Sequence, residues 1–113
     1  MAAAGGNEMA DSTIKVRIAE KEGKIHLRAL IKHPMETGLR KDAVTGIQVP
    51  AHYINRVVIE VNGETVLDAD WSASISTDPY LYVIFDGVAG DKVRLAWQDN
   101  TGKSDSIETT VGG

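Results

Sequence analysis

The chain has 113 residues, which fits one domain with a single hydrophobic core, and it contains no cysteine. Without cysteine, the chain can form no disulfide, thiol nucleophile or covalent persulfide of its own. Its 12 basic and 16 acidic residues give a formal charge of −4 and are scattered without a run of Lys or Arg, which argues against nucleic-acid binding. No apolar run approaches the roughly 20 residues that a membrane-spanning helix needs.

The first residues, 1–12, are small and polar and lack the basic start and apolar stretch of a secretory signal. We expect this segment to be disordered or extended. The remaining residues, 13–113, are expected to form the domain.

Apolar residues alternate with polar ones along most of this domain, which is the pattern of half-buried strands. About seven short runs of this kind are separated by turn signals, and no run has helical spacing. The runs lie at Ile14–Ile18, Ile25–Ile31, Ile54–Val61, Glu64–Ala69, Tyr80–Phe85, Val93–Trp97 and Ile107–Val111.

The dipeptide Asn62-Gly63 lies between two of these runs and predicts a β-hairpin, because a type I′ turn needs a positive φ at both central residues. Seven short strands without helices predict an all-β fold, an antiparallel sandwich of the immunoglobulin or fibronectin type. This prediction concerns architecture only, since such folds carry many functions.

A long connection, residues 33–51, separates the second and third predicted strands. Loops of this length without secondary structure are usually functional or disordered. Its apolar residues, among them Met35 and Leu39, make it too apolar for a solvated linker. Part of the loop is therefore expected to pack on the domain or on a partner.

The fifth run, Tyr80–Phe85, is apolar at six consecutive positions instead of alternate ones. Only the inner face of a sandwich strand meets the core, so the outer face needs another cover. The long loop, an end of the chain and a second protein are the three alternatives.

Three histidines raise the question of a metal site. His33 and His52 lie at the two ends of the long loop and could meet at its base, whereas His26 falls on the polar face of its strand. A carboxylate such as Glu36 would have to complete the ligand set. The pattern favours ordinary loop and surface histidines over a metal site, and we predict no metal, no cofactor and no catalytic residue.

The segment HPMETGLRKD, residues 33–42, resembles the SoxZ family, together with Ile54-Asn55-Arg56, Val61-Asn62-Gly63 and Ile75–Leu81. SoxZ is the smaller subunit of the SoxYZ sulfur carrier of the bacterial sulfur-oxidising (Sox) system. The resemblance covers residues from about Ile14 to Val111.

This resemblance implies a non-catalytic β-sandwich subunit that binds SoxY, whose cysteine carries thiosulfate-derived sulfur. It implies a heterodimer with transient contacts to other Sox enzymes, in the periplasm, exported together with a signal-bearing partner. No nucleic-acid or membrane contact is implied.

We expect the partner to contact the long loop and the fifth strand, with Met35 and Leu39 as apolar anchors and Arg40 as a polar contact. The alternatives left open are a fibronectin-like binding or adhesion module unrelated to sulfur metabolism, and a metal-dependent redox domain. The full set of predicted partner-binding residues is His33, Met35, Glu36, Leu39, Arg40, Asn55, Tyr80 and Tyr82.

Overall fold

The computed structural model describes residues 12–112 and shows seven antiparallel strands. Most of the N-terminal segment predicted to be disordered or extended lies outside the described residues. The strands are β1 (Ile14–Lys21), β2 (Lys24–Ile31), β3 (Ile54–Val61), β4 (Glu64–Asp70), β5 (Tyr80–Asp86), β6 (Lys92–Asp99) and β7 (Ser104–Thr110).

The strands form two sheets that face each other as a sandwich. One sheet has three strands in the order β1-β2-β5, and the other has four in the order β4-β3-β6-β7. The predicted antiparallel sandwich of about seven strands is therefore confirmed. Among the residues that the structure describes, no helix is long and apolar enough to cross a membrane.

The core lies between the sheets and follows the two-residue alternation of the sequence. In β2, every second side chain from Ile25 to Ile31 is buried, and the residues between them are exposed or half-buried. The facing sheet contributes aliphatic residues and Trp97. The fully buried large side chains are Ile14, Ile25, Leu27, Ile31, Ile54, Val57, Ile59, Val93 and Leu95.

The hairpin between β3 and β4 turns as the sequence predicts. Asn62 and Gly63 have φ angles of 51° and 86°. Both angles are positive, as the predicted type I′ turn requires.

The long loop folds back on itself, so that its second half runs beside its first half. Its two halves pair at Glu36 with His52 and at Lys41 with Gln48, as isolated antiparallel bridges. Backbone hydrogen bonds join Glu36 and His52 in both directions, at 2.7 and 3.0 Å. The loop is thus an irregular hairpin that projects from one end of the sandwich.

Gly87, just after β5, lies where a side chain would collide with the core. A Cβ atom there would come within 2.9 Å of Ile25 Cγ1 and closer still to Cδ1, and Ile25 is fully buried. We expect Gly87→Ala to lower the free energy of unfolding by about 1–3 kcal/mol, the usual cost of overpacking. Chemical denaturation measures this loss, with Gly112→Ala as the control because a Cβ at Gly112 has no neighbour within 4 Å. Equal stability of the two variants would contradict the prediction.

Candidate functional site

Three side chains converge at the base of the long loop. His33 enters from the end of β2, His52 from the approach to β3, and Asp99 from the last position of β6. The Nε2 atoms of both histidines lie 2.9 Å from the same oxygen, Asp99 Oδ2. The two imidazole rings meet edge to face, with centroids 4.6 Å apart. The expectation that the ends of the loop bring these histidines together is thus confirmed.

The side chain of Asp99 is fully buried, and both of its carboxylate oxygens accept hydrogen bonds. Oδ1 accepts from the backbone N–H and the hydroxyl of Thr101, at 2.9 and 2.7 Å, and from the N–H of Lys103 at 3.0 Å. Burial alone would raise the pKa of this carboxyl. The hydrogen bonds from His33, Thr101, Lys103 and His52 outweigh burial and hold the pKa well below its usual range.

The ligand atoms of His33, His52 and Asp99 lie within 4.8 Å of one another, so the cluster has the composition of a metal site. The hydrogen bonds favour another use. Met35 donates its N–H to His33 Nδ1 at 3.2 Å, so the proton of a neutral His33 ring is on Nε2, where it is donated to Asp99. Coordination through Nε2 would move that proton to Nδ1, against the Met35 N–H. The arrangement therefore supports a structural cluster that fastens the loop to β6.

Met35 packs into the domain. It is 5% exposed and belongs to the core cluster, and its Sδ accepts the N–H of Ile54 at 3.3 Å. His33 is likewise buried, beside Trp97 at 5.2 Å between ring centroids. These two residues hold the loop from inside, so they offer almost no surface for the partner contact predicted for them.

The outer part of the loop is exposed. Leu39 is 82% exposed. Arg40 donates to Glu36 through Nε and Nη2, at 3.0 and 2.7 Å, as a bidentate pair on the surface. The hydrogen bond from Arg40 is the main reason that the pKa of Glu36 is lowered. Glu36 is thus a partner of Arg40 and not the third member of the histidine cluster.

Asn55 lies near the start of β3 and is half-buried. Its backbone oxygen accepts the N–H of Trp71 at 3.0 Å, whereas its side-chain Oδ1 has no hydrogen-bond partner among the described residues.

β5 has apolar side chains on both faces. Its inner residues, Leu81, Val83 and Phe85, pack against the core but are only partly buried. On the outer face Tyr80 is 61%, Tyr82 45% and Ile84 51% exposed. Within residues 12–112, neither the long loop nor an end of the chain covers this outer face, although the Arg28 guanidinium of the neighbouring strand lies over the Tyr82 ring at 4.3 Å. Two of the three alternatives for the cover of this face therefore do not hold within those residues.

Asp99, which lies at the centre of the cluster, is not among the residues singled out from the sequence. A signal was present, because Val93, Leu95, Trp97 and Asp99 share the inward face of one strand. A charged residue on that face must find hydrogen-bond donors when it is buried.

Comparison with solved structures shows the same fold in the superoxide reductase from Nanoarchaeum equitans. The TM-score is 0.60 at 13% sequence identity, and the match covers 88% of this chain and 92% of that one. At this identity the likeness concerns the fold alone. None of the curated proteins compared with the sequence matches it.

The comparison with protein families identifies a family for this chain. The model described as "Sulphur oxidation protein SoxZ" matches residues 14–110, which span all seven strands and the long loop. The chain belongs to the SoxZ family of sulphur oxidation proteins.

Proposed function

We propose that this protein is the non-catalytic subunit of a SoxYZ-type heterodimer. In this proposal it binds the cysteine-bearing SoxY and helps to present the covalently attached sulfur intermediate to other Sox enzymes during thiosulfate oxidation. Its family membership places it in sulfur oxidation by the Sox system. The heterodimer is proposed to work in the periplasm.

The exposed outer face of β5 is the observation that carries the proposal. Three large apolar side chains follow one another along the outer face of β5, and each is between 45% and 61% exposed. They are Tyr80, Tyr82 and Ile84. Contiguous exposed apolar surface of this kind is typical of protein–protein contacts. Permanent complexes in particular bury surfaces that resemble a domain core cut in half.

The side-chain groups of the protein are consistent with a non-catalytic role beside a sulfur-carrying partner. A covalent sulfur carrier needs a thiol, and this sequence has no cysteine. Within the structure's described range, one group of three His, Asp or Glu side chains has converging ligand atoms. It consists of His33, His52 and Asp99, and its hydrogen bonds are directed inward, where they fasten the loop. The sulfur atom is therefore proposed to reside on the partner.

Native mass spectrometry of this chain co-expressed with its cysteine-bearing carrier subunit tests the proposal. After treatment with thiosulfate and the Sox loading enzymes, we expect a one-to-one complex with added sulfur mass on the carrier and none on this chain. A carrier variant that lacks the cysteine is the control and should bind this chain without gaining sulfur. Sulfur mass on this chain, or a chain that stays monomeric at every concentration, would overturn the proposal.

A further inference from the structure

Five of the twelve basic residues of the chain lie together on one face of the domain, although they form no continuous run in the sequence. On the outer face of the three-stranded sheet, the strand register places Lys15 opposite Leu30, Arg17 opposite Arg28, and Lys21 opposite Lys24. The only carboxylate at an outward strand position of this face is Asp86 at the end of β5. A chain with a net charge of −4 thus presents one strongly cationic face.

This arrangement is unfavourable in the isolated domain, because like charges directly opposite each other on neighbouring strands repel. Arg17 faces Arg28, and Lys21 faces Lys24. Lys24 has an ion pair with Asp86, and the Arg28 guanidinium lies over the Tyr82 ring at 4.3 Å. Lys15, Arg17 and Lys21 have no ion pair within residues 12–112. Carboxylates from another molecule would relieve this repulsion.

The cationic residues are continuous with the exposed apolar residues of β5. The register joins Arg17, Arg28 and Tyr82 in one row across the sheet, and Lys15, Leu30 and Tyr80 in the next. Each row therefore runs from a positive charge at the β1 edge to an apolar side chain at the β5 edge. We call this surface the basic-apolar face; it consists of Lys15, Arg17, Lys21, Arg28, Leu30, Tyr80, Tyr82 and Ile84.

We propose that the basic-apolar face is the docking surface for the carrier subunit, and that the carrier's matching surface is acidic beside β1 and apolar beside β5. This inference rests on the proposed function and adds to it the location and the chemistry of the interface. The cationic half accelerates and orients the encounter, and the apolar half supplies most of the affinity.

A protein fits this face better than a nucleic acid does. Tyrosine and arginine are enriched at the centres of protein interfaces. A phosphate backbone would satisfy Lys15 and Arg17 but would leave Ile84 and Leu30 without a complementary surface. The net negative charge of the chain also opposes the approach of a polyanion.

Association kinetics with the purified carrier subunit test the inference. The variant carrying Lys15→Glu and Arg17→Glu is compared with a control carrying Lys92→Glu and Lys103→Glu, which has the same change in net charge on exposed residues elsewhere. We expect the first variant to associate about tenfold or more slowly than wild type at low ionic strength, because rim charges act mainly on the association rate. The control should associate at most slightly more slowly than wild type. Near 1 M salt, where the Debye length is about 3 Å, the two variants should converge.

The outcomes separate the inference from the function on which it rests. If both variants bind the carrier at the same rate, the docking surface is elsewhere, and the proposed heterodimer itself is not contradicted. If the wild-type chain does not bind the carrier at all, both proposals fail. A short single-stranded oligonucleotide that binds wild type but not the Lys15/Arg17 variant would assign the face to nucleic acid and overturn the inference.

Discussion

Replacement of Asp99 by asparagine should lower the free energy of unfolding by about 2–4 kcal/mol. The carboxylate accepts five hydrogen bonds from His33, His52, Thr101 and Lys103 in a fully buried position. An amide has one oxygen, so its NH₂ group must face either the histidine N–H groups or the backbone N–H groups. At least two of the five donors around this buried carboxyl would then lose their acceptor. Urea denaturation at neutral pH measures the loss.

The pH dependence of this loss provides an independent check. The pKa of Asp99 is lower in the folded protein than its usual value of about 3.9 in an unfolded chain. The ionised carboxylate therefore contributes stability that is fully present above about pH 4 and is lost as the pH falls toward the folded pKa. The gap in stability between wild type and Asp99→Asn should shrink as the solution is acidified below about pH 4.

Asp70→Asn is the matched control, since Asp70 is exposed at the end of β4. It should change stability by no more than about 0.5 kcal/mol at neutral pH. A similar loss in both variants, or a gap for Asp99→Asn that does not change with pH, would contradict the assignment of Asp99 as the centre of the cluster.

Loss of two exposed apolar side chains from β5 should weaken the proposed heterodimer by about 30-fold or more. Tyr80→Ser combined with Ile84→Ser removes two side chains that are each more than half exposed. A central apolar anchor is commonly worth about 2 kcal/mol or more in binding, which corresponds to roughly 30-fold in affinity. The fold should be retained, since substitutions at exposed sites usually change stability by about 0.5 kcal/mol or less.

Isothermal titration calorimetry with the carrier subunit measures this affinity, and circular dichroism checks the fold. The control is Val58→Ser with Val66→Ser, which makes the same kind of change on the outer face of the four-stranded sheet. We expect the control to bind like wild type. Unchanged affinity of the β5 variant would exclude this strand from the interface.

Much of the fold could be predicted from local patterns. The alternation in β2 and the Asn62-Gly63 turn each act over a few residues, so the sequence determines them almost alone. Six consecutive apolar residues in β5 likewise indicated a strand that needs cover on both faces. The family resemblance agrees with the match over residues 14–110.

The features that sequence reasoning missed depend on register between distant segments. Arg17 and Arg28 are neighbours because β1 pairs with β2 in one register, and no linear run of basic residues marks that pair. Asp99 meets His33 only when the end of β6 lies beside the loop, 66 positions away in the chain. The composition of the loop predicts Met35 as a partner anchor, whereas its 5% exposure and the hydrogen bond from the Ile54 N–H to its Sδ show that it belongs to the core.

The attachment of the long loop to β6 affects how the molecule binds another protein. Segments that order themselves only on contact lose conformational entropy at that moment, and this loss lowers affinity for a given interface area. Here Asp99 holds both histidines at the base of the loop, and the backbone of Glu36 is joined to that of His52. Recognition through the outer part of this loop would therefore resemble the docking of a preorganised surface, with little rearrangement between the free and bound states.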